Sequence, residues 1–140
     1  MKRGKDYIGV GVGAVILNDK NEVLLLQRNK EPEKGFWSIP GGAVEFNETI
    51  EDALIREIKE ETDVDVEIIK LLSVVNHIVK SDSAHWVSPN FLCKIISGTV
   101  KNVEPNKHTD IQWFSLNDLP DNITITTKKG IESLNYKGDI

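Results

Sequence analysis

Apolar and polar residues alternate in short runs along most of the chain, but one longer segment follows a helical pattern. That segment runs from Thr49 to Thr62, contains neither Gly nor Pro, and consists mostly of good helix formers. Thr49 is a favourable N-cap, and Asp52, three residues later, makes the start close to a capping box. The pattern therefore predicts a helix that begins directly after Thr49.

Apolar runs on both sides of this helix predict β-strands. Before it, Ile8–Leu17 and Val23–Arg28 are predicted as two strands that the turn at 18–21 joins into a hairpin. After it, we expect strands within 64–79, 85–96 and 111–115, and a short closing helix at 127–134. This order of elements predicts an α/β fold in which helices pack on a mixed sheet.

The first predicted strand carries glycine at every second position. Gly9, Gly11 and Gly13 leave one face of its first half without side chains, although glycine weakens a strand. We therefore expect a ligand or another backbone to approach this face closely. No Gly-Lys-Ser/Thr follows these glycines, so the pattern is not that of a P-loop.

Length and composition limit the possible classes of protein. With 140 residues, the chain is predicted to form a single domain, 1–140, that is large enough to bury a core. A net charge of −5 argues against a nucleic-acid-binding surface. The one cysteine, Cys93, lies in an apolar run and is predicted to be a core residue. Without a signal peptide or a membrane-length apolar run, the expected location is the cytoplasm, away from membranes.

The predicted helix ends in three glutamates on the continuation of its inward apolar stripe. Glu57, Glu60 and Glu61 are spaced at i, i+3 and i+4, so they repel one another, and Arg56 is predicted to lie towards the other side. They also lie near the helix C-terminus, where the macrodipole disfavours anions. The residues alone leave two interpretations open: an acidic helix end in solvent, or a site for Mg²⁺ or Mn²⁺.

The spacing around these glutamates resembles the signature of the Nudix hydrolases. Gly42 is followed after five residues by Glu48, and after seven more by Arg56–Glu61, so every fixed acidic and basic position is filled. The chain departs from the signature at Asp63, where the family usually has a glycine that ends the helix in a left-handed conformation. Asp is among the few residues that tolerate this conformation.

The resemblance extends beyond the signature. The glycine-rich strand and the segment 113–120 are similar to segments found widely in the family. Segments 73–76, 101–105 and 136–138 resemble a narrower group, nucleoside-triphosphate diphosphatases that act on modified and thiopurine nucleotides. The resemblance implies a Nudix-type α/β/α sandwich with a mixed β-sheet. Since the narrower group forms homodimers, it also implies a homodimer, with the apolar strand Ile8–Leu17 near the interface.

The implied reaction is metal-dependent hydrolysis of a phosphoanhydride in a nucleoside diphosphate linked to another group. Nucleoside triphosphates, cleaved to monophosphate and diphosphate, are the first substrate candidate, and ADP-ribose or a nucleotide sugar is the alternative. The cofactor would be Mg²⁺ or Mn²⁺, and the partner a small-molecule nucleotide. Two other uses of the fold fit less well. Inactive binding modules usually lose the glutamates, and isomerase or DNA-repair relatives need residues or a domain that are missing here.

The resemblance also implies roles for individual residues. Glu60 and Glu61 would hold the metal together with the Gly42 carbonyl, and Glu57 would be a further ligand or the general base. Arg56 and Glu48 would form an ion pair that braces the loop against the helix.

Roles outside the signature stay open on the sequence alone. Arg28 would contact phosphate or form a surface salt bridge. Glu104 lies on a loop where some relatives add a metal ligand or base, and Asp110 competes with it for that role. The three histidines share no spacing that is typical of metal ligands: His77, His85 and His108.

Overall fold

The structure is a computed structural model that describes residues 1–134 and places two sheets and two α-helices within them. The first sheet has the strand order β4-β1-β6-β5, and the second has the order β3-β2-β7. The strands are β1 Gly9–Ile16, β2 Glu22–Arg28, β3 Trp37–Ser38, β4 Gly41–Ala43, β5 Asp65–Val79, β6 Ala84–Ser97 and β7 His108–Ser115. The helices are α1 Ile50–Thr62 and α2 Ile125–Glu132. The segment 136–138, part of the resemblance above, lies outside the described residues.

The first sheet is mixed, as the order of elements predicts. Strand β1 runs parallel to β6 and antiparallel to β4, while β5 is antiparallel to β6. Within β1, alternate side chains face different parts of the core. Val12, Ala14 and Ile16 pack in the cluster that includes the apolar face of α1. Val15 packs in a second cluster with Ile131 of α2, so the sheet lies between the two helices.

Strand β2 does not form the predicted hairpin with β1, and this part of the prediction is wrong. It pairs instead with β3 and β7 in the second sheet, and only an isolated bridge between Leu17 and Val23 connects it to the end of β1. The reason lies in the run Val23–Leu26, which is buried on both faces. A strand with two apolar faces belongs between layers, and β2 reaches that position by crossing to the second sheet.

Helix α1 has the predicted ends. The Thr49 hydroxyl accepts a hydrogen bond from the Asp52 backbone N–H at 3.0 Å. At the other end, Asp63 adopts a left-handed conformation with φ of 62°, and its N–H donates to the Lys59 carbonyl. Asp63 therefore performs the helix-ending role for which the Nudix signature uses glycine.

The glycines of β1 allow close approach, as predicted, both by side chains of β6 and by backbone, since the Gly42 carbonyl oxygen would lie 3.4 Å from a Cβ atom on Gly11. A Cβ atom on Gly9 would lie 2.6 Å from the Trp86 ring. One on Gly13 would lie 2.6 Å from the Asn90 side-chain oxygen. Since real Cβ atoms do not approach so closely, the glycines allow Trp86 and Asn90 of β6 to lie over β1.

Strand β1 lies between β4 and β6, and its residues 11–16 are buried within the protein. Ile8 and Val10 at its beginning are exposed apolar residues. A homodimer interface near Ile8–Leu17 stays a prediction. Among the described residues, no helix is both long and apolar enough to span a membrane.

Candidate active site

The C-terminal half of α1 packs against the short strand β4. The Gly41 N–H donates a hydrogen bond to Glu61 Oε1 at 2.9 Å. At the next residue, a Cβ atom on Gly42 would collide with the Glu57 carboxylate, lying 2.7 Å from Oε1 and closer to its other atoms. A residue with a Cβ atom at position 42 would therefore displace the Glu57 carboxylate from the strand. Because β4 is paired with β1, its backbone holds both glutamates at a fixed place.

Arg56 joins this group of carboxylates, which corrects the expectation that it lies towards the other side of the helix. Its guanidinium contacts both oxygens of Glu48, with Nε–Oε2 at 2.7 Å and Nη2–Oε1 at 2.9 Å. Nη2 also donates to the Ala43 carbonyl at 3.1 Å. Nη1 lies 2.9 Å from Glu57 Oε1 and 3.3 Å from Glu60 Oε1. The long side chain therefore bends back to tie β4, the following loop and α1 together.

This ion pair changes the acidity of both partners. Hydrogen bonds from Arg56 and from the Glu45 backbone N–H lower the pKa of Glu48 to about 2. The hydrogen bond with Glu48 likewise raises the pKa of Arg56. Both groups stay ionised at neutral pH, and the bidentate geometry is the strong form of an Arg–carboxylate contact.

The three glutamates of the signature differ in environment. Glu61 is buried, with its side chain 8% exposed, whereas the Glu60 side chain is 50% exposed. Burial raises the pKa of Glu61 well above its usual value and also raises that of Glu57. The carboxylates of Glu57 and Glu104 add to the effect at Glu61. The ionised forms of Glu57 and Glu61 are thus disfavoured in these surroundings.

Two residues outside the signature, Glu104 and His108, approach Glu61 from the segment that leads into β7. His108 Nε2 lies 3.4 Å from Glu61 Oε2. One ligand atom from each of Glu61, Glu104 and His108 lies within 4.8 Å of the others. Burial lowers the pKa of His108 to about 4, so the ring is neutral at pH 7 and does not offset the charge of Glu61.

Sequence reasoning missed His108, because no spacing relates it to the glutamates of the helix. The only local signal is its position four residues after Glu104. A turn brings the two together, with the His108 N–H donating to the Glu104 carbonyl at 3.1 Å. Lys107 contacts the Glu104 carboxylate at 3.1 Å, which raises the pKa of the lysine.

The cluster is chemically suited to a divalent cation. Its carboxylate oxygens are hard donors, and the raised pKa values of Glu57 and Glu61 reflect anionic charge that burial disfavours. A cation among them would favour the ionised forms. Glu57, Glu60, Glu61 and Glu104 could supply oxygen ligands, and His108 could supply a nitrogen.

A cavity of about 460 Å³ lies beside this cluster. Its wall includes Glu61, Gly42 and His108 on one side and the Trp86 ring on another. This volume lies in the range of ligand pockets. The basic residues in its wall are Lys2, Arg3, Lys5 and Arg28.

Arg28 and Asp110 have different surroundings. Arg28 lies in the cavity wall, where its Nε donates to the Pro32 carbonyl at 2.8 Å. Burial lowers the pKa of Arg28, and Glu33 and Glu61 oppose that shift. The Asp110 carboxylate instead accepts hydrogen bonds from Ile111 N–H and the Gln112 side chain. Both donors belong to β7, so the Asp110 carboxylate is hydrogen-bonded within its own strand.

Comparison with known proteins extends the resemblance over the whole described fold. The family model of the NUDIX domain matches residues 8–134. An ADP-ribose pyrophosphatase from Methanocaldococcus jannaschii is 38% identical over 122 residues, which are 86% of this chain and 70% of that protein. An 8-oxo-dGDP phosphatase from Mus musculus is 35% identical over 109 residues. That match covers 76% of this chain but only 32% of the mouse protein.

A solved structure shows the same architecture. A MutT NUDIX hydrolase from Burkholderia pseudomallei superimposes with a TM-score of 0.88 at 40% identity. The match covers 93% of this chain and 100% of the other. The expected α/β/α sandwich with a mixed sheet is confirmed by this likeness and by the strand order.

Proposed function

Because the chain belongs to the Nudix family, we propose that it is a metal-dependent hydrolase of phosphoanhydride bonds in nucleoside diphosphates linked to a further group. It is a pyrophosphohydrolase, and the enzymes of this family act on small nucleotides. The observation that carries the proposal is the meeting of Glu61 and Glu104 beside a cavity whose volume is typical of ligand pockets.

The metal would be held by the carboxylates at the end of α1. Glu60 and Glu61 would bind it together with the Gly42 carbonyl, and Glu57 would be a further ligand or the base. When bound, Mg²⁺ or Mn²⁺ supplies charge neutralisation for the phosphates and lowers the pKa of bound water. The net charge of the chain is −5, so the metal would add to the positive charge that the basic residues of the cavity wall offer to a polyphosphate.

The chain's own groups would position and deprotonate the attacking water. Glu57 would accept the proton, since its carboxylate lies one helical turn before Glu61 and directly against the Gly42 backbone. Arg28 would contact a phosphate from the cavity wall, where its guanidinium is partly buried. A cation with reduced hydration binds phosphate oxygens more strongly than one in bulk water.

Arg56 and Glu48 would act by bracing. Arg56 makes contacts to the Glu48 and Glu57 carboxylates and to the Ala43 carbonyl. These contacts hold Glu57 against β4 while keeping the following loop in register. Such support keeps catalytic groups within the narrow geometry that the reaction needs.

Two substrate classes have separate support. The resemblance of segments 73–76 and 101–105 to nucleoside-triphosphate diphosphatases favours triphosphates with modified purines. The 38% identity to an ADP-ribose pyrophosphatase favours ADP-ribose as the second candidate. The two classes differ in the group beyond the diphosphate, which is a phosphate in one and a neutral sugar in the other.

A substrate panel tests the proposal. We expect purified protein with Mg²⁺ or Mn²⁺ to release monophosphate and diphosphate from a triphosphate, or AMP and ribose 5-phosphate from ADP-ribose. Chromatographic separation of the products identifies the bond that is cleaved. EDTA serves as the control and should stop the reaction. A panel in which no nucleoside diphosphate derivative is hydrolysed with either metal would overturn the proposed function.

A further inference from the structure

His108 is the one histidine of the described chain that lies among the acidic residues of the site. It begins β7, where the pairing with Arg28 of β2 fixes its backbone. Its ring is mostly enclosed, with 12% of the side chain exposed, and Nε2 points to Glu61 Oε2 at 3.4 Å. The His108 imidazole of β7 and the Glu61 carboxylate of α1 therefore face each other.

The other nitrogen of the His108 ring, Nδ1, is buried and has no hydrogen-bond partner among the described residues. The neighbouring Glu61 is nine-tenths buried, and the hydrogen bond from Gly41 N–H reaches only its Oε1. Buried polar atoms without partners are uncommon in proteins and point to a missing ion or water. Here they occur where ligand atoms of Glu61, Glu104 and His108 lie within 4.8 Å of one another.

We propose that His108 supplies a nitrogen ligand to a divalent metal that Glu61 and Glu104 bind through oxygen. The proposal rests on the function given above, and it adds a ligand from β7 to the ligands predicted on α1 and β4. It also gives Glu104 a place as a metal ligand. Imidazole nitrogen is the commonest side-chain ligand of transition metals in proteins.

A nitrogen ligand changes which metal the site prefers. Mg²⁺ favours oxygen ligands and loses its water reluctantly, whereas imidazole suits the later divalent metals. One imidazole together with two carboxylates should therefore bind Co²⁺ or Mn²⁺ more tightly than Mg²⁺. A site made only of carboxylates and carbonyls would show a weaker preference.

A second arrangement uses the same contacts differently. His108 could donate a hydrogen bond to Glu61 and orient it without touching the metal, as residues behind a ligand often do. In that case the imidazole nitrogen would be remote from the ion. The two arrangements differ in one measurable property, which is the coupling between the metal's unpaired electrons and the histidine nitrogen.

Pulsed electron paramagnetic resonance of bound Mn²⁺ measures this coupling. The protein, without a polyhistidine tag, is loaded with less than one equivalent of Mn²⁺. We expect a strong ¹⁴N modulation of the imidazole type, which changes to that of ¹⁵N when the histidines alone are labelled. Labelling separates histidine from backbone nitrogens. Absence of directly coordinated histidine nitrogen from the wild-type spectrum would overturn the proposal, even with hydrolysis intact.

Variants assign the signal to one of the three histidines of the sequence. His108→Phe keeps a planar side chain of similar size and should abolish the coupling. His85→Gln is the matched control and should retain it, because His85 is not part of the cluster. If His108→Phe does not fold, His77→Gln and His85→Gln decide by elimination, since both must keep the signal. Coupling that persists in folded His108→Phe would overturn the assignment.

Calorimetric titration gives a second readout that is independent of activity. His108→Phe should weaken Co²⁺ binding by roughly tenfold or more, a loss at least as large as that expected for a residue behind a ligand. Mg²⁺ binding should weaken less. Equal losses for both metals would contradict a nitrogen ligand. If the wild type binds metal as expected but hydrolyses no nucleotide, the proposed function fails while the metal assignment stands.

Discussion

Glu61 has the most enclosed carboxylate of the three at the end of α1, and its surroundings explain why. Its Oε1 accepts the Gly41 N–H, and its Oε2 faces His108. Glu60, one residue earlier, is half exposed and contacts Arg56. Sequence spacing makes these glutamates look equivalent, because it cannot show which of them β4 and β7 cover. Sequence spacing also could not identify His108, because this residue is far from the glutamates in sequence and only the fold brings it close to them.

We expect a divalent cation to stabilise the native protein through Glu61. Mg²⁺ or Mn²⁺ should raise the melting temperature because it binds the folded state. Glu61→Gln should largely remove that increase, since an amide keeps the size of the side chain but lacks its charge. Differential scanning calorimetry with and without metal measures the shift. The control is Glu51→Gln, an exposed position on the same helix. An unchanged shift in Glu61→Gln would rule out this residue as a ligand.

Glu57 is predicted to be the base, and Glu57→Gln should lower kcat by about a hundredfold or more. KM should change much less, because the contacts to the substrate remain. Steady-state kinetics at saturating metal measures both constants. Near-normal kcat in Glu57→Gln would move the role of base to another residue, such as Glu104.

Arg56→Lys should differ by lowering thermal stability together with activity, since lysine cannot replace the bidentate contact with Glu48.

At the scale of elements, the site depends on α1 and β4 meeting at a fixed angle. The ends of α1 could be predicted because local interactions determine them: Thr49 caps the start and Asp63 adopts the left-handed turn. The sequence located strand β2, but it did not show with which strands β2 pairs. Its buried run Val23–Leu26 indicates a strand, yet an apolar run does not specify which sheet will cover it. The sheet that a strand joins depends on contacts between distant segments, which the local pattern of apolar residues does not show.

The Glu48–Arg56 contact joins the loop before α1 to the helix and should appear in the acid stability of the protein. The folded-state pKa of Glu48 is lowered to about 2, against a usual value of 4.5. The contact therefore contributes fully above pH 4.5, and its contribution is lost as the pH falls through 2. Glu57 and Glu61 have raised pKa values and act in the opposite direction.

A comparison of variants separates these effects. Urea denaturation in EDTA, repeated between pH 6 and 2, measures the free energy of unfolding of wild type and Glu48→Gln. We expect the variant to be less stable at pH 6 and the difference to shrink as the pH falls from 4.5 towards 2, because Glu48 is then protonated in the unfolded state and becomes protonated in the folded state. A stability difference that is constant over this range would show that the contact is not ionic in the folded protein.

At the scale of the whole molecule, the cavity is assembled from distant parts of the chain. Lys2 and Arg3 near the N-terminus, Arg28 of β2 and Trp86 of β6 all line it. Of these residues the sequence indicated only Arg28 as a candidate, because no motif connects the others, so the pocket could not be outlined in advance. The substrate class therefore follows from the family and its residues, and the base or sugar depends on side chains of this wall.

The homodimer stays a prediction at this scale, with the exposed apolar residues Ile8 and Val10 near its expected interface. Multi-angle light scattering at micromolar concentration should give twice the chain mass of 15.7 kDa. Repeating the measurement over a range of concentrations shows whether subunits exchange. A mass that stays at that of one chain would contradict the prediction.

The central claim is that the carboxylate cluster at the end of α1 carries out metal-dependent cleavage of a nucleotide diphosphate bond. Initial hydrolysis rates of wild type and Glu61→Gln, measured side by side on the substrate that the panel identifies, test it most directly. Circular dichroism confirms that both are folded. We expect turnover only in wild type with metal, and a loss of about a hundredfold or more in the variant. A variant with near wild-type rates, or wild-type hydrolysis unaffected by EDTA, would contradict the claim.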